Sequence, residues 1–204
     1  MLGVLIEKQS TVPDTYPLSL NAIVSGCNQK TARAPVIEAT EAEVMTAVDG
    51  LKSLSLVFEG SGSRVVKYEH NAARVLQVPS QAVALLAVLM LRGPQTSAEL
   101  RLNCERLHRF ADISSVEGFL DELAARAVPM VVKLAKAPGS REARWAQLLC
   151  GEVALPGAAT GGYAEDGVSA GEIAALKAEQ TRLAAELESL RSLVHRIATE
   201  LGVQ

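Results

Sequence analysis

Aromatic residues make up only 3% of this 204-residue chain, so its core has to be built from Leu, Val, Ile and Ala. Such a palette suits helices and short strands better than a β-sandwich. Charge of one sign is not in surplus either: 20 Lys and Arg stand against 23 Asp and Glu, a net charge of −3. Phosphate neutralisation supplies most of the affinity of non-specific nucleic-acid binding, so this balance argues against a histone-like role and leaves room only for local basic patches. The three cysteines, Cys27, Cys104 and Cys150, form no CxxC and stand at no metal-ligand spacing from His70, His108 or His195. They read as free, buried or half-buried thiols in a reducing cytosol, with no metal and no cofactor implied. A signal-peptide pattern is missing, and the uncharged run Ala82–Leu91 is about half of a bilayer span. That run reads as a helix buried on nearly every side, in a cytoplasmic protein with no membrane partner. Walker, HExxH and GxSxG motifs are absent, and Gly60-Ser61-Gly62 leads into a strand rather than a phosphate-holding helix. No catalytic residue is predicted, and the chain does not read as an enzyme.

What is present is punctuation and periodicity. Residues 2–8 look like the end of an amphipathic helix whose first turns are missing, which would leave one side of the first domain uncovered. Pro17 opens a second helix reaching about Asn28, and a polar connection follows from Gln29 to Ala39. Thr40-x-x-Glu43 is a capping box, and Val44, Val48 and Leu51 continue as a one-sided apolar stripe. Leu56-Val57-Phe58 and Arg64 to Tyr68, around a Gly/Ser turn, make a hairpin. The order then repeats: a helix from Ser80 to Arg92 broken by Gly93-Pro94, a second capping box at Thr96-x-x-Glu99, and a helix carrying Val116, Leu120 and Leu123. A second hairpin runs from Met130 to Leu149. Two motif matches in the same order, at offsets of 72 and 77 residues, point to an internal duplication.

Three helices and a hairpin, twice, predict a mainly α fold with small β-hairpins (α+β): two tandem winged-helix domains, 1–78 and 79–150. A Gly- and Ala-rich stretch, 151–168, reads as a flexible linker. From 169 to 204 a coiled coil is predicted, with Ile173, Leu176, Gln180, Leu183, Leu187, Leu190, Val194, Ile197 and Leu201 at 3,4 spacing. That seam predicts a parallel homodimer, with Gln180 fixing register and Glu186 meeting Arg191 of the second copy.

At Leu5-Ile6-Glu7-Lys8-Gln9, Tyr16 to Ala22, Cys27-Asn28-Gln29-Lys30, Gly62 to Glu69, Leu91 to Thr96 and Ala98 to Arg101, the sequence resembles the YceH family of bacterial proteins. The resemblance covers roughly residues 2–151. It implies two winged helices in one chain and no established biochemical activity. Family members usually carry more residues before Leu2, and flank Arg33 with a polar and an acidic residue where this chain has Ala32 and Ala34.

Two functions follow as expectations. The first is DNA binding, as in a transcriptional regulator, with a third helix in the major groove and wings on the backbone. Its contact residues would be Asn28, Gln29, Lys30 and Arg33 in the loop, Arg64 and Lys67 on one wing, and Arg141 and Arg144 on the other, with Arg101, Arg106 and Arg109 beside the second helix-turn-helix. The third helices oppose it, since Glu41, Glu43, Asp49, Glu117, Asp121 and Glu122 outnumber Lys52 and Arg126. The alternative is a protein-interaction scaffold whose winged helices are docking surfaces and bind no DNA.

Overall fold

The structure, a computed structural model, describes residues 1–60, 65–136, 142–151 and 153. Its first helix, α1 (Leu2–Thr11), buries Leu2, Val4, Leu5 and Ile6, so these apolar residues are covered rather than left in water. After the cis Tyr16–Pro17 bond comes a two-residue strand, β1 (Leu18–Ser19), and Ser19 then caps α2 (Leu20–Cys27) by accepting from the Ala22 N–H. The second helix therefore starts three residues later than Pro17 predicts. A strand of two residues has no periodicity by which a sequence could announce it.

The Thr40 capping box forms as expected and opens α3 (Glu41–Ser53): the Thr40 hydroxyl accepts from the Glu43 N–H at 3.3 Å and the Glu43 carboxylate accepts from the Thr40 N–H at 2.7 Å. The first hairpin comprises β2 (Val57–Gly60) and β3 (Lys67–His70), a little later on its second arm than its β-rich residues suggest. The sheet order is β1-β3-β2, with Leu18 opposite Tyr68. A five-residue helix, α4 (Ala72–Leu76), was not predicted and closes this half.

The second half follows the same path. α5 (Ser80–Arg92) ends at Gly93 as its sequence predicts, and a single bridge pairs Gln95 with Trp145. The second capping box opens α6 (Ser97–Asn103), and the Asp112 side chain caps α7 (Ile113–Ala124). A shorter hairpin, β4 (Val131–Lys133) and β5 (Trp145–Gln147), completes it. Gln95, β5 and β4 thus reproduce the order of β1, β3 and β2. The equivalence is residue by residue: Leu18 and Gln95, the caps Ser19 and Thr96, and the buried Tyr68 and Trp145 each lie 77 positions apart.

Packing explains why α5 is apolar all round, a pattern that means burial on every side. One face meets α6, α7 and β5, and another receives α1. α1 comes in close: a Cβ on Gly3 would lie 3.0 Å from Leu91 Cγ, and one on Gly26 of α2 would lie 2.5 Å from Val4 Cγ1. The described residues belong to one compact unit, Met1–Ala154, and one hydrophobic core runs through both halves. The boundary expected at 78/79 therefore marks a repeat in the path, not a break in the core. Cys27 and Cys104 are buried, whereas Cys150 is exposed. Among the described residues no helix is long and apolar enough to cross a membrane. The predicted linker beyond 153 and the heptad seam Ile173–Leu201 lie outside the described residues.

Candidate functional site

The loop between α2 and α3 was expected to offer Asn28, Gln29, Lys30 and Arg33 to a phosphate backbone. Most of it is turned inward. Asn28 clamps the loop's far end, its Nδ2 donating to the Ala39 carbonyl at 2.8 Å and its Oδ1 accepting from the Ala39 N–H at 2.7 Å. Gln29 Oε1 accepts from Lys8 Nζ at 3.0 Å. Arg33 is the centre of the loop and its side chain is 4% exposed. Its guanidinium donates to both carboxylate oxygens of Glu7, at 3.1 and 2.6 Å, and to the carbonyls of Gly26 and Ala32. A buried arginine needs such complete pairing, and it then has nothing to offer a phosphate. Burial pushes the Glu7 carboxyl up, but the bonds and charge of Arg33 outweigh this and hold it below the ordinary carboxylate range. Of these four, Lys30 alone is exposed with no partner among the described residues.

The hairpins divide similarly. Arg64 and Arg141 lie outside the described residues. Lys67 sits half-buried on β3, opposite Ser19 and Gly60. Arg144 is exposed but engaged: its Nη1 donates to the Pro94 carbonyl at 2.9 Å and pairs with Glu99 at 3.1 Å. Near the end of α6, Arg101 donates to the Ala111 carbonyl at 3.0 Å, while its Nε is buried with no partner. Arg106 and Arg109 are exposed and unpaired among the described residues. Among the described residues, Arg33 and Arg144 are thus engaged by internal partners, while Lys30, Arg106 and Arg109 are exposed with none.

The third helices show the opposite sign. On α3, Glu41 and Asp49 are exposed, and Lys52 pairs with Glu59 of the neighbouring strand. On α7, Glu117, Asp121 and Glu122 are exposed, and Arg126 just beyond it donates to the carbonyls of Leu76 and Gln77 at 3.1 and 3.3 Å. Among the described residues no group of three His, Cys, Asp or Glu side chains is placed to hold a metal ion.

One juxtaposition was not foreseen. Arg33 and Arg144, predicted on separate domains, border the same depression of about 300 Å³, together with Arg92. Glu7 and Lys8 fall within Leu5–Gln9 and Arg92 ends the helix predicted from Ser80, and spacing alone could not bring those stretches together.

Comparison with known proteins places the chain. A family model described as "Protein of unknown function, DUF480" matches residues 1–140. A UPF0502 protein of Burkholderia pseudomallei (strain 668) is 66% identical over 203 residues, covering 100% of this chain and 87% of that protein. A UPF0502 protein of Leptothrix cholodnii is 64% identical over 206 residues, covering 100% of this chain and 93% of its own length.

Proposed function

We propose that this chain, which belongs to the DUF480 family of UPF0502 proteins, is a non-enzymatic scaffold that docks other proteins on tandem winged helices. The family is the one its sequence resembles, YceH. Support for the fold name comes from topology: each half runs helix, short strand (in the second half a single bridge at Gln95), two helices and a hairpin, with the hairpin's last strand between the other two pairing segments.

The observation that carries the docking reading is the charge on α3 and α7. In a winged helix that reads DNA, the third helix enters the major groove. Here that helix exposes carboxylates in both halves, and the cations beside them, Lys52 and Arg126, are spent on internal partners. Carboxylates brought towards phosphates oppose binding, whereas towards a basic protein segment they steer it. DNA remains the second reading, favoured by Lys30, Arg106, Arg109 and Lys136, which are exposed and unpaired among the described residues.

One experiment separates the two. Fluorescence anisotropy with pooled genomic fragments should show no binding tighter than about micromolar at physiological salt, the non-specific range. Proteins cross-linked to the wild-type chain should be lost from the Glu117→Lys, Asp121→Lys, Glu122→Lys triple variant. Tight, salt-sensitive DNA binding that vanishes when Arg64, Lys67, Arg141 and Arg144 become Glu would overturn docking in favour of DNA.

A further inference from the structure

The depression shared by Arg33, Arg92 and Arg144 has no role in either reading. It lies where the loop before α3 meets the turn between α5 and α6, the Ala34 N–H donating to the Leu91 carbonyl at 2.9 Å. Its walls are built and fixed. Arg33 uses its guanidinium on Glu7, Gly26 and Ala32, and Arg144 is held by Glu99 and the Pro94 carbonyl. Gln95 is 5% exposed; its Nε2 faces the Val88 and Gly93 carbonyls at 3.4 and 3.3 Å, and its Oε1 accepts from Asn103 Nδ2 at 2.6 Å.

The charges around this rim do not cancel. Glu7 is shared by Arg33 and Lys8, and Glu99 pairs with Arg144. Arg92 is left over: it ends α5, is half-buried, and has no hydrogen bond or ion pair among the described residues. A cation at a helix C-terminus complements the helix dipole, which accounts for its charge. The dipole does not account for a half-buried arginine with unused donors lining a depression walled by fixed polar groups. That arrangement matches what a planar fork needs to hold a carboxylate or a phosphate. A volume of about 300 Å³ is at the small end of ligand pockets and suits a compact metabolite.

We propose that this depression binds a small oxyanion-bearing ligand, a metabolite's carboxylate or phosphate, through Arg92. The donors that Arg144 and Asn103 have not spent lie on the same rim. The site is independent of whether α3 and α7 dock a protein, so either idea can fail alone.

The test uses the full chain and two probes, inorganic phosphate and acetate, each titrated at constant ionic strength and followed by amide NMR. At least one probe should saturate, with shifts centred on Ala32–Ala34, Arg92–Gln95 and Asn103; which one saturates tells a phosphate source from a carboxylate source. Arg92→Gln should weaken that binding about tenfold or more, the worth of a charge-assisted bidentate contact. Lys30→Gln, which removes an exposed cation elsewhere, should leave it unchanged. Shifts that never saturate with either probe, or an Arg92→Gln protein that binds like wild type, would overturn the proposal. Should Arg92→Gln fail to fold, Arg92→Lys carries the test, because it keeps the charge and loses the fork: a smaller loss is expected, and an unchanged affinity overturns the proposal.

Discussion

Leu18 and Gln95 occupy the same point in the two halves, each directly before a helix cap and each opposite a buried aromatic, Tyr68 in one and Trp145 in the other. The first is an ordinary core leucine, 3% exposed. The second is a buried amide whose oxygen and nitrogen are both bonded. The repeat has kept what the path requires, a cap and a large side chain, and has varied what the point can do. Buried polar groups persist only when satisfied, so Gln95 had to be accompanied by Asn103 and by the carbonyls at the end of α5. Charge follows the same division. The first half locks its loop arginine to Glu7, while Arg92, at the end of the second half's first helix, has no ion pair among the described residues. Polar specialisation therefore concentrates at the α5–α6 turn of the second half.

The strongest way to break the comparison is to remove the second half's aromatic. Trp145 is 2% exposed, and Trp145→Ala should cost about 3–5 kcal/mol. Because α1 packs on α5 and the core is continuous, the loss should fall on the whole unit. Urea unfolding should stay a single transition by fluorescence of the tyrosines and by circular dichroism, shifted to lower urea. Two separate transitions would mean that the halves fold independently after all.

That test also marks what was legible in the sequence. The two capping boxes, the apolar stripes on α3 and α7 and the Gly93-Pro94 break were all local signals, and each is where its residues predicted. The strand β1, the helix α4 and the single Gln95 bridge were too short for any period to show. The candidate site was less legible. An arginine in a polar loop looks the same in a sequence whether it faces water or Glu7, and only the folding of α1 against α2 decides. Arg33 is 26 residues from its partner, and no spacing rule reaches that far.

Breaking the Arg33–Glu7 pair comes next in size. Arg33→Ala leaves a carboxylate that is only 12% exposed with the more distant Lys8, at 3.5 Å, as its one remaining ion pair among the described residues, and should cost about 3 kcal/mol. Replacing both, as Arg33→Met with Glu7→Leu, should cost clearly less than the single change, since no charge is then stranded. Urea midpoints of the three proteins check this. Equal losses would mean that the pair contributes through packing alone.

A smaller effect sharpens the contrast at the equivalent point. Gln95→Leu makes the second half resemble the first, and should cost only about 1 kcal/mol. Leucine fills most of the same space, and Asn103, being half-buried, can turn its amide to water. Thermal melts decide: a loss several times larger would mean that Gln95 holds the turn itself, and the anion-binding depression should then be lost with it.

The smallest effect is confined to the first half and is read by pH. His70 pairs with Val57 as Gln147 pairs with Val131, so a titratable group in one hairpin stands where an amide stands in the other. His70 Nδ1 accepts from the Ala72 N–H at 3.3 Å, which leaves Nε2 to carry the proton and donate to Gln9 Oε1 at 2.7 Å. A second proton on the ring would set N–H against N–H at Ala72. Burial acts in the same direction and holds the imidazole's pKa below its ordinary value. The unfolded chain then binds the proton first as pH drops. The stability His70 contributes is present above about pH 6.5 and is lost as pH falls from there through the lowered folded value, with a slope no steeper than one proton, about 1.4 kcal/mol per pH unit. Glu7 does not interfere in this window, because its own contribution, from a carboxyl held low, is lost only at more acid pH. His70→Gln gives the first hairpin the residue of the second and should flatten the dependence of the urea midpoint between about pH 7 and pH 5. If the variant loses stability over that range as steeply as the wild type, the acid response belongs to another group and the two hairpins are electrostatically alike.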